Sequence, residues 1–126
     1  KPNTFMNLSG KAVTYWAKKE KINLSNILII VDDLNLEFGI SRIRKSGTDG
    51  GHNGLKDISD KLNTTKYPRL RFGIGNNFKD GKQIDFVLQK WNDSENKNLS
   101  KLIEHNSSIV LHYIKHGIDN TMNTFN

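Results

Sequence analysis

Asn26-Ile27-Leu28-Ile29-Ile30-Val31-Asp32-Asp33 is the most informative stretch of the chain. A continuous apolar, β-rich run is preceded by one polar residue and ended by two acids. Such a run predicts a strand buried on both faces, as in a parallel α/β sheet. On its N-terminal side, Ala12, Val13, Trp16 and Ala17 recur at helical spacing and predict a helix over 8–20. Ser9 is the expected cap, and Gly10 weakens the first turn. On its C-terminal side, Ile40 to Arg44 alternates apolar and polar residues, as a strand with one wetter face does. Gly47-Thr48-Asp49-Gly50-Gly51-His52-Asn53-Gly54 is a glycine-rich loop, followed by Leu55, Ile58 and Leu62 at helical spacing.

Arg69 to Ile74 alternates again, as another strand, and runs into a polar loop carrying Gly75, Asn76, Asn77 and Gly81. Phe86-Val87-Leu88 is a short apolar patch. Trp91 to Glu95 reads as a helix start with Asn92, Asp93 or Ser94 as N-cap. Leu99, Leu102, Ile103, Ile109, Val110, Tyr113 and Ile114 then follow a period near 3.6, so an amphipathic helix is expected to end by Gly117. Strands alternating with helices give an α/β class, a three-layer α/β/α sandwich, and residues 1–126 read as a single domain.

The 126 residues suffice for one core. Without cysteine, disulfides, thiolate zinc sites and cysteine nucleophiles are excluded. A cytoplasmic setting is compatible with this. No apolar run approaches the roughly 18 residues of a membrane span. Lys-Pro-Asn-Thr-Phe-Met is not a signal peptide and lacks an initiator Met, so the chain is expected to begin inside a longer gene product. A net charge of +6 favours a polyanionic partner, nucleic acid first, against the plainer reading of a solvated basic surface.

The candidate chemistry clusters around strand ends. Asp32 and Asp33 close the apolar strand, where ligand crevices of open α/β sheets lie; the plainer alternative is a turn or cap residue. The glycines of 47–54 permit positive φ and close backbone approach, and the helix start behind them favours anions. The loop matches neither phosphate-loop nor dinucleotide patterns. His52 there can titrate or donate, and the Asn53 amide offers both a donor and an acceptor. The alternative is a glycine turn with an Asn cap. Arg42, Arg44 and Lys45 approach this loop, and Arg69 and Arg71 share one face of the next strand. Guanidinium forks suit phosphate; surface charge is the alternative. His112 and His116 stand four apart on the last helix, but surface or helix-end roles fit better than a metal.

Five blocks, taken in order, are similar to one known pattern. Lys1-Pro2-Asn3-Thr4-Phe5-Met6-Asn7-Leu8-Ser9-Gly10 resembles K-P-x-T-[FY]-M-N-x-S-G, and Asp32-Asp33-Leu34-Asn35-Leu36 resembles D-[DE]-L-D-L. Gly50 to Lys56 matches G-G-H-N-G-L-K. Arg69 to Gly75 resembles R-L-R-x-G-I-G, and Phe86-Val87-Leu88 a V-L lid element. The set resembles the bacterial-type peptidyl-tRNA hydrolases, with a looser match in the final helix.

The resemblance implies a mixed, largely parallel sheet whose first strand is absent from this chain. It also implies metal-independent, cofactor-free hydrolysis of the ester joining a peptide to tRNA, by a cytoplasmic monomer with peptidyl-tRNA as its partner. A histidine acts as general base on water, and a carboxylate, here Asp32, orients it. Asn7 and Asn53 hold the peptide backbone and the attacking water, or polarise the ester carbonyl. Phe5, Met6, Leu34 and His52 join them in binding substrate. Arg44, Lys45 and Arg71 take tRNA phosphate, and Phe86, Val87 and Leu88 form a lid. The family's base histidine belongs to a segment before Lys1, and none of the four histidines here matches it. The chain as given is therefore expected to be inactive alone. Asn35 and Asn76-Asn77-Phe78 depart from the pattern beside the site. Two rival readings are a non-catalytic RNA-binding relative of the splicing-factor type, and a basic interaction domain.

Overall fold

The computed structural model describes residues 2–76 and 93–126. A 3-10 turn, Met6–Leu8, leads into α1 (Ser9–Lys19); a second, Leu24–Asn26, leads into β1 (Ile29–Asp33). There follow β2 (Ser41–Arg44), α2 (Asn53–Leu62), β3 (Arg69–Gly73) and α3 (Asp93–Phe125). The strands form one sheet in the order β1-β3-β2.

The sheet is mixed. Ile29 N donates to Pro68 O and Ile74 N to Asp33 O, both at 3.0 Å, so β1 and β3 advance together in parallel. Gly73 N donates to Ile40 O at 2.7 Å and Gly39 N to Gly73 O at 3.0 Å. The end of β3 thus meets the start of β2, and that pair is antiparallel.

β1 differs from expectation. It starts two residues later than the apolar run and takes in both aspartates. Its burial is one-sided: Ile30 is 61% exposed.

The chain divides into two compact units, Lys1–Ile30 with Arg44–Leu70, and Val31–Ile43 with Arg71–Asn126. In the first, α1 and the first 3-10 turn pack against α2. Leu55, Ile58, Tyr67 and Leu70 are buried there, each contributing roughly 1.5–3 kcal/mol for a fully buried apolar side chain. Gly10 explains itself at this contact. A Cβ on it would lie 2.5 Å from Asp57 O and 2.7 Å from Lys61 Cγ, so only glycine lets the helices approach so closely. Ser9 is not the cap. It is the first helical residue, and its Oγ donates to Met6 O at 2.7 Å. Instead Asp57 reaches across from α2 and accepts from Gly10 N at 2.7 Å, placing a carboxylate at the positive end of α1.

Both helices of this unit end in Schellman turns. Lys21 takes the left-handed position after α1 (φ 51), with Ile22 N on Ala17 O at 2.9 Å. Asn63 takes it after α2 (φ 55), with Thr64 N on Ser59 O at 3.2 Å.

In the second unit Ile109 and Tyr113 of α3 are buried, as is Ile43 of β2. Burial also raises the Tyr113 phenol above its ordinary pKa. The side chain of Asn126 bonds both backbone groups of Ile43, accepting at 3.0 Å and donating at 2.8 Å, and so acts as a one-residue strand partner. Gly117 does break the helix, with φ 78 and ψ 177, but the chain resumes helical turns to Phe125. Thr121, fully buried, donates to Gly117 O at 2.7 Å, which holds the resumed segment in place.

Candidate active site

The glycine-rich loop is built by positive φ at Gly50 (58°) and Gly51 (83°), conformations that cost other residues about 1–2 kcal/mol. Asp49 closes the turn: its Oδ1 accepts from Gly51 N at 2.8 Å and its carbonyl from His52 N at 3.0 Å. The cap of α2 is His52 rather than an asparagine. Its Nδ1 accepts from Leu55 N at 3.2 Å, so the neutral ring carries its proton on Nε2. Asn53 opens the helix with its side chain exposed.

The 3-10 turn lies on this helix entrance. A Cβ on Gly54 would stand 2.7 Å from Met6 Sδ and 2.8 Å from His52 Cε1. Gly54 is therefore the notch that seats Met6. The packing makes neighbours of the segments carrying Asn7 and Asn53, both exposed, while Phe5 is 82% exposed beside them. Among the sequence-predicted substrate residues, Phe5, Met6, Asn7, His52 and Asn53 thus belong to one compact unit.

Arg69 anchors the same loop from beneath. It is fully buried, donates to the carbonyls of Thr48 (3.3 Å), Thr65 (2.7 Å) and Tyr67 (3.4 Å), and lies 4.2 Å from the Tyr67 ring centroid. The Tyr67 hydroxyl in turn bonds Ser59 Oγ at 2.8 Å and Leu55 O at 3.3 Å. The expectation of a phosphate-facing Arg69 is thereby corrected. Alternation put it on the same strand face as Arg71, but five donors suit a cluster of backbone carbonyls equally well.

Of the other candidates, Asp32, Asp33, Leu34 and Arg71 belong to the second unit, and Arg44 and Lys45 to the first. Asp32 is half-buried within β1, with Leu34 half-buried just beyond. Asp33 is buried; its Oδ1 accepts from Asn35 N at 2.8 Å and its Oδ2 pairs with Arg71 at 3.4 Å. Arg71 is therefore tied to the strand end it neighbours. Arg44 and Lys45 are exposed. Phe86, Val87 and Leu88 lie outside the described residues. Among the described residues no three His, Cys, Asp or Glu side chains gather as a metal would need. His112 Nδ1 instead bonds Thr121 Oγ1 at 2.9 Å.

The sequence reading missed two positioning groups, Asp57 and the Asp33–Arg71 pair. Gly54, in the first turn of a helix where glycine is costly, was the visible sign that something packs there.

The family model for peptidyl-tRNA hydrolase matches residues 1–126. The chain belongs to the peptidyl-tRNA hydrolase family. Peptidyl-tRNA hydrolase of Bacteroides fragilis is 55% identical over 126 residues, which are 100% of this chain and 67% of that protein. The Porphyromonas gingivalis hydrolase is 46% identical over the same length, 68% of its own. The crystal structure of peptidyl-tRNA hydrolase from Acinetobacter baumannii superposes with a TM-score of 0.89 at 34% identity, covering 99% of this chain and 63% of that one. The chain thus spans about two thirds of the hydrolases it matches, and its α/β fold is theirs. The peptidyl-tRNA hydrolases are ester-cleaving enzymes of translation, and the exposed Asn7 and Asn53 sit in blocks that carry the resemblance.

Proposed function

We propose that this chain supplies the substrate-gripping part of an active site that hydrolyses the ester between peptide and tRNA, releasing tRNA from stalled translation. The observation that carries the reading is the seating of Met6 over Gly54, which sets the Asn7 segment beside Asn53 at the entrance of α2. Two amides and helix-start N–H groups are then available to orient an ester and stabilise charge developing on its carbonyl oxygen. His52, whose Nδ1 accepts from Leu55 N, stands at the same helix entrance and is proposed to bind substrate there. Asp32 is the carboxylate proposed to orient the general-base histidine. Exposed Arg44 and Lys45, with Arg71, are the proposed phosphate contacts, and Phe86, Val87 and Leu88 the proposed lid. No helix of the described residues is long and apolar enough to cross a membrane. A cytoplasmic monomer acting without metal or cofactor completes the reading.

The test uses the protein expressed from its full reading frame, with peptidyl-tRNA as substrate. Asp32→Asn is expected to lower kcat on the order of 10²-fold or more while KM changes little. Asn53→Ala should lower kcat/KM on the order of 10²-fold. Arg44→Ala should weaken tRNA binding and reduce its salt slope by about one. Unchanged turnover in Asp32→Asn overturns the orienting role.

A further inference from the structure

We infer that the outer face of α1 is an RNA contact surface, which stacks an unpaired base on one ring of the perpendicular Tyr15–Trp16 pair and holds the neighbouring phosphates with lysines. The inference goes beyond the hydrolase reading, because it requires RNA but no ester chemistry.

The helix separates its residues cleanly. Gly10, Val13, Thr14 and Ala17 are buried or half-buried on the side that packs against α2. Lys11, Tyr15, Trp16, Lys18 and Lys19 are all exposed, and at 3.6 residues per turn they fill an arc of about 160°. No acid falls within that arc. Tyr15 and Trp16 are 56% and 53% exposed, with ring centroids 5.3 Å apart and planes at 88°. Lys19 Nζ stands 5.0 Å from the Trp16 centroid and 5.7 Å from that of Tyr15. One ammonium therefore braces both rings, and each ring keeps about half of its surface open to solvent among exposed lysines.

Scattered exposed aromatics are ordinary. Two adjacent ones braced by a cation, in a lysine field, are a narrower pattern. Its complement is a polyanion with stackable planes, and single-stranded RNA is that chemistry. A duplex hides its base faces, so the site selects unpaired nucleotides. A lipid surface fits less well. The arc holds no aliphatic side chain larger than Ala12, so the face lacks the apolar depth of an interfacial helix.

The experiment uses the full-length protein carrying Trp91→Phe, which leaves Trp16 as its one reporter among the two tryptophans of these residues. The probe is a fluorescent uridine dodecamer, followed by anisotropy and by Trp16 emission. RNA is expected to quench Trp16. Tyr15→Ala with Trp16→Ala should weaken binding about tenfold or more. Lys19→Gln should flatten the salt dependence by about 0.7. Should the double variant lose helical circular dichroism, Tyr15→Ser alone carries the test, with about a fivefold loss expected. Equal affinity in wild type and variants overturns the inference. So does Trp16 emission that RNA leaves unmoved, whether acrylamide reaches the ring or not, and so does quenching by phosphatidylserine vesicles without quenching by RNA. Turnover of peptidyl-tRNA, measured on the same Tyr15 variant, separates the two readings. Absent turnover in the parent protein sinks the hydrolase proposal and leaves the dodecamer result standing.

Discussion

The α1–α2 contact and the α3 helix solve the same problem in opposite ways. In the first, backbone meets backbone: Gly10 lies against the Asp57 carbonyl, Asp57 caps α1, and Gly54 seats Met6. In the second, packing rests on side chains of a long helix whose Ile103, Leu111 and Ile114 remain more than half exposed, and its one glycine, Gly117, has nothing within 4 Å of where a Cβ would stand. A contact made by backbone tolerates no substitution and leaves a recognisable block in the sequence. A contact made by an apolar stripe tolerates many and leaves only a period.

That contrast can be broken by mutation, and the largest effect should come from Arg69→Met. It strands the carbonyls of Thr48, Thr65 and Tyr67, the last of them buried, and about 3 kcal/mol of stability should disappear in urea unfolding. Gly10→Ala comes next. Overpacking against a fixed carbonyl should cost about 1–3 kcal/mol, with faster amide exchange along α1 and α2. The matched change in the other region, Gly117→Ala, meets open space and should cost only the strain of its φ 78, ψ 177 backbone, about 1–3 kcal/mol, with the exchange effect confined to α3. Equal exchange changes in both helices of the first unit for Gly117→Ala would erase the distinction. His52→Ala removes a cap and should cost about 1 kcal/mol, with accelerated exchange at Leu55.

The smallest effect is a pH dependence. The Lys61 hydrogen bond, helped by the Gly10 amide and the Lys61 charge, holds the Asp57 carboxyl below its usual 3.8, against a smaller opposing pull from partial burial. A group depressed on folding stabilises above its unfolded pKa and loses that contribution as pH falls through the folded one. Stability should therefore decline below about pH 4 in the wild type, and Asp57→Asn should flatten that decline. The Lys61 partner is itself half exposed, so solvent screens the pair and the slope should be shallow.

The sequence revealed the parts whose chemistry is local. The helices around Val13 and Leu55, the alternating strands and the glycine loop all follow from period and turn residues. Residues that act across the fold were less legible. The pattern put Arg69 and Arg71 on one face, but only tertiary carbonyls distinguish a sealed guanidinium from one paired to Asp33. Ser9 is a favoured cap type, yet a carboxylate 47 positions beyond Gly10 serves that helix end instead. Among the site candidates, the exposed Asn7 and Asn53 stand in packed segments that the motifs had already marked.

The connection from Asp33 to Ile40 has a further consequence. Asp33 O, Leu36 O, Gly39 N and Ile40 O each bond backbone at residues 73–75, and a Cβ on Gly73 would collide with Glu37 O and lie 2.8 Å from Leu36 Cβ. Such a loop has no slack. A single inserted residue between Leu34 and Phe38 would pull several of these bonds out of step at once, and the strand end carrying Asp32 would move with them.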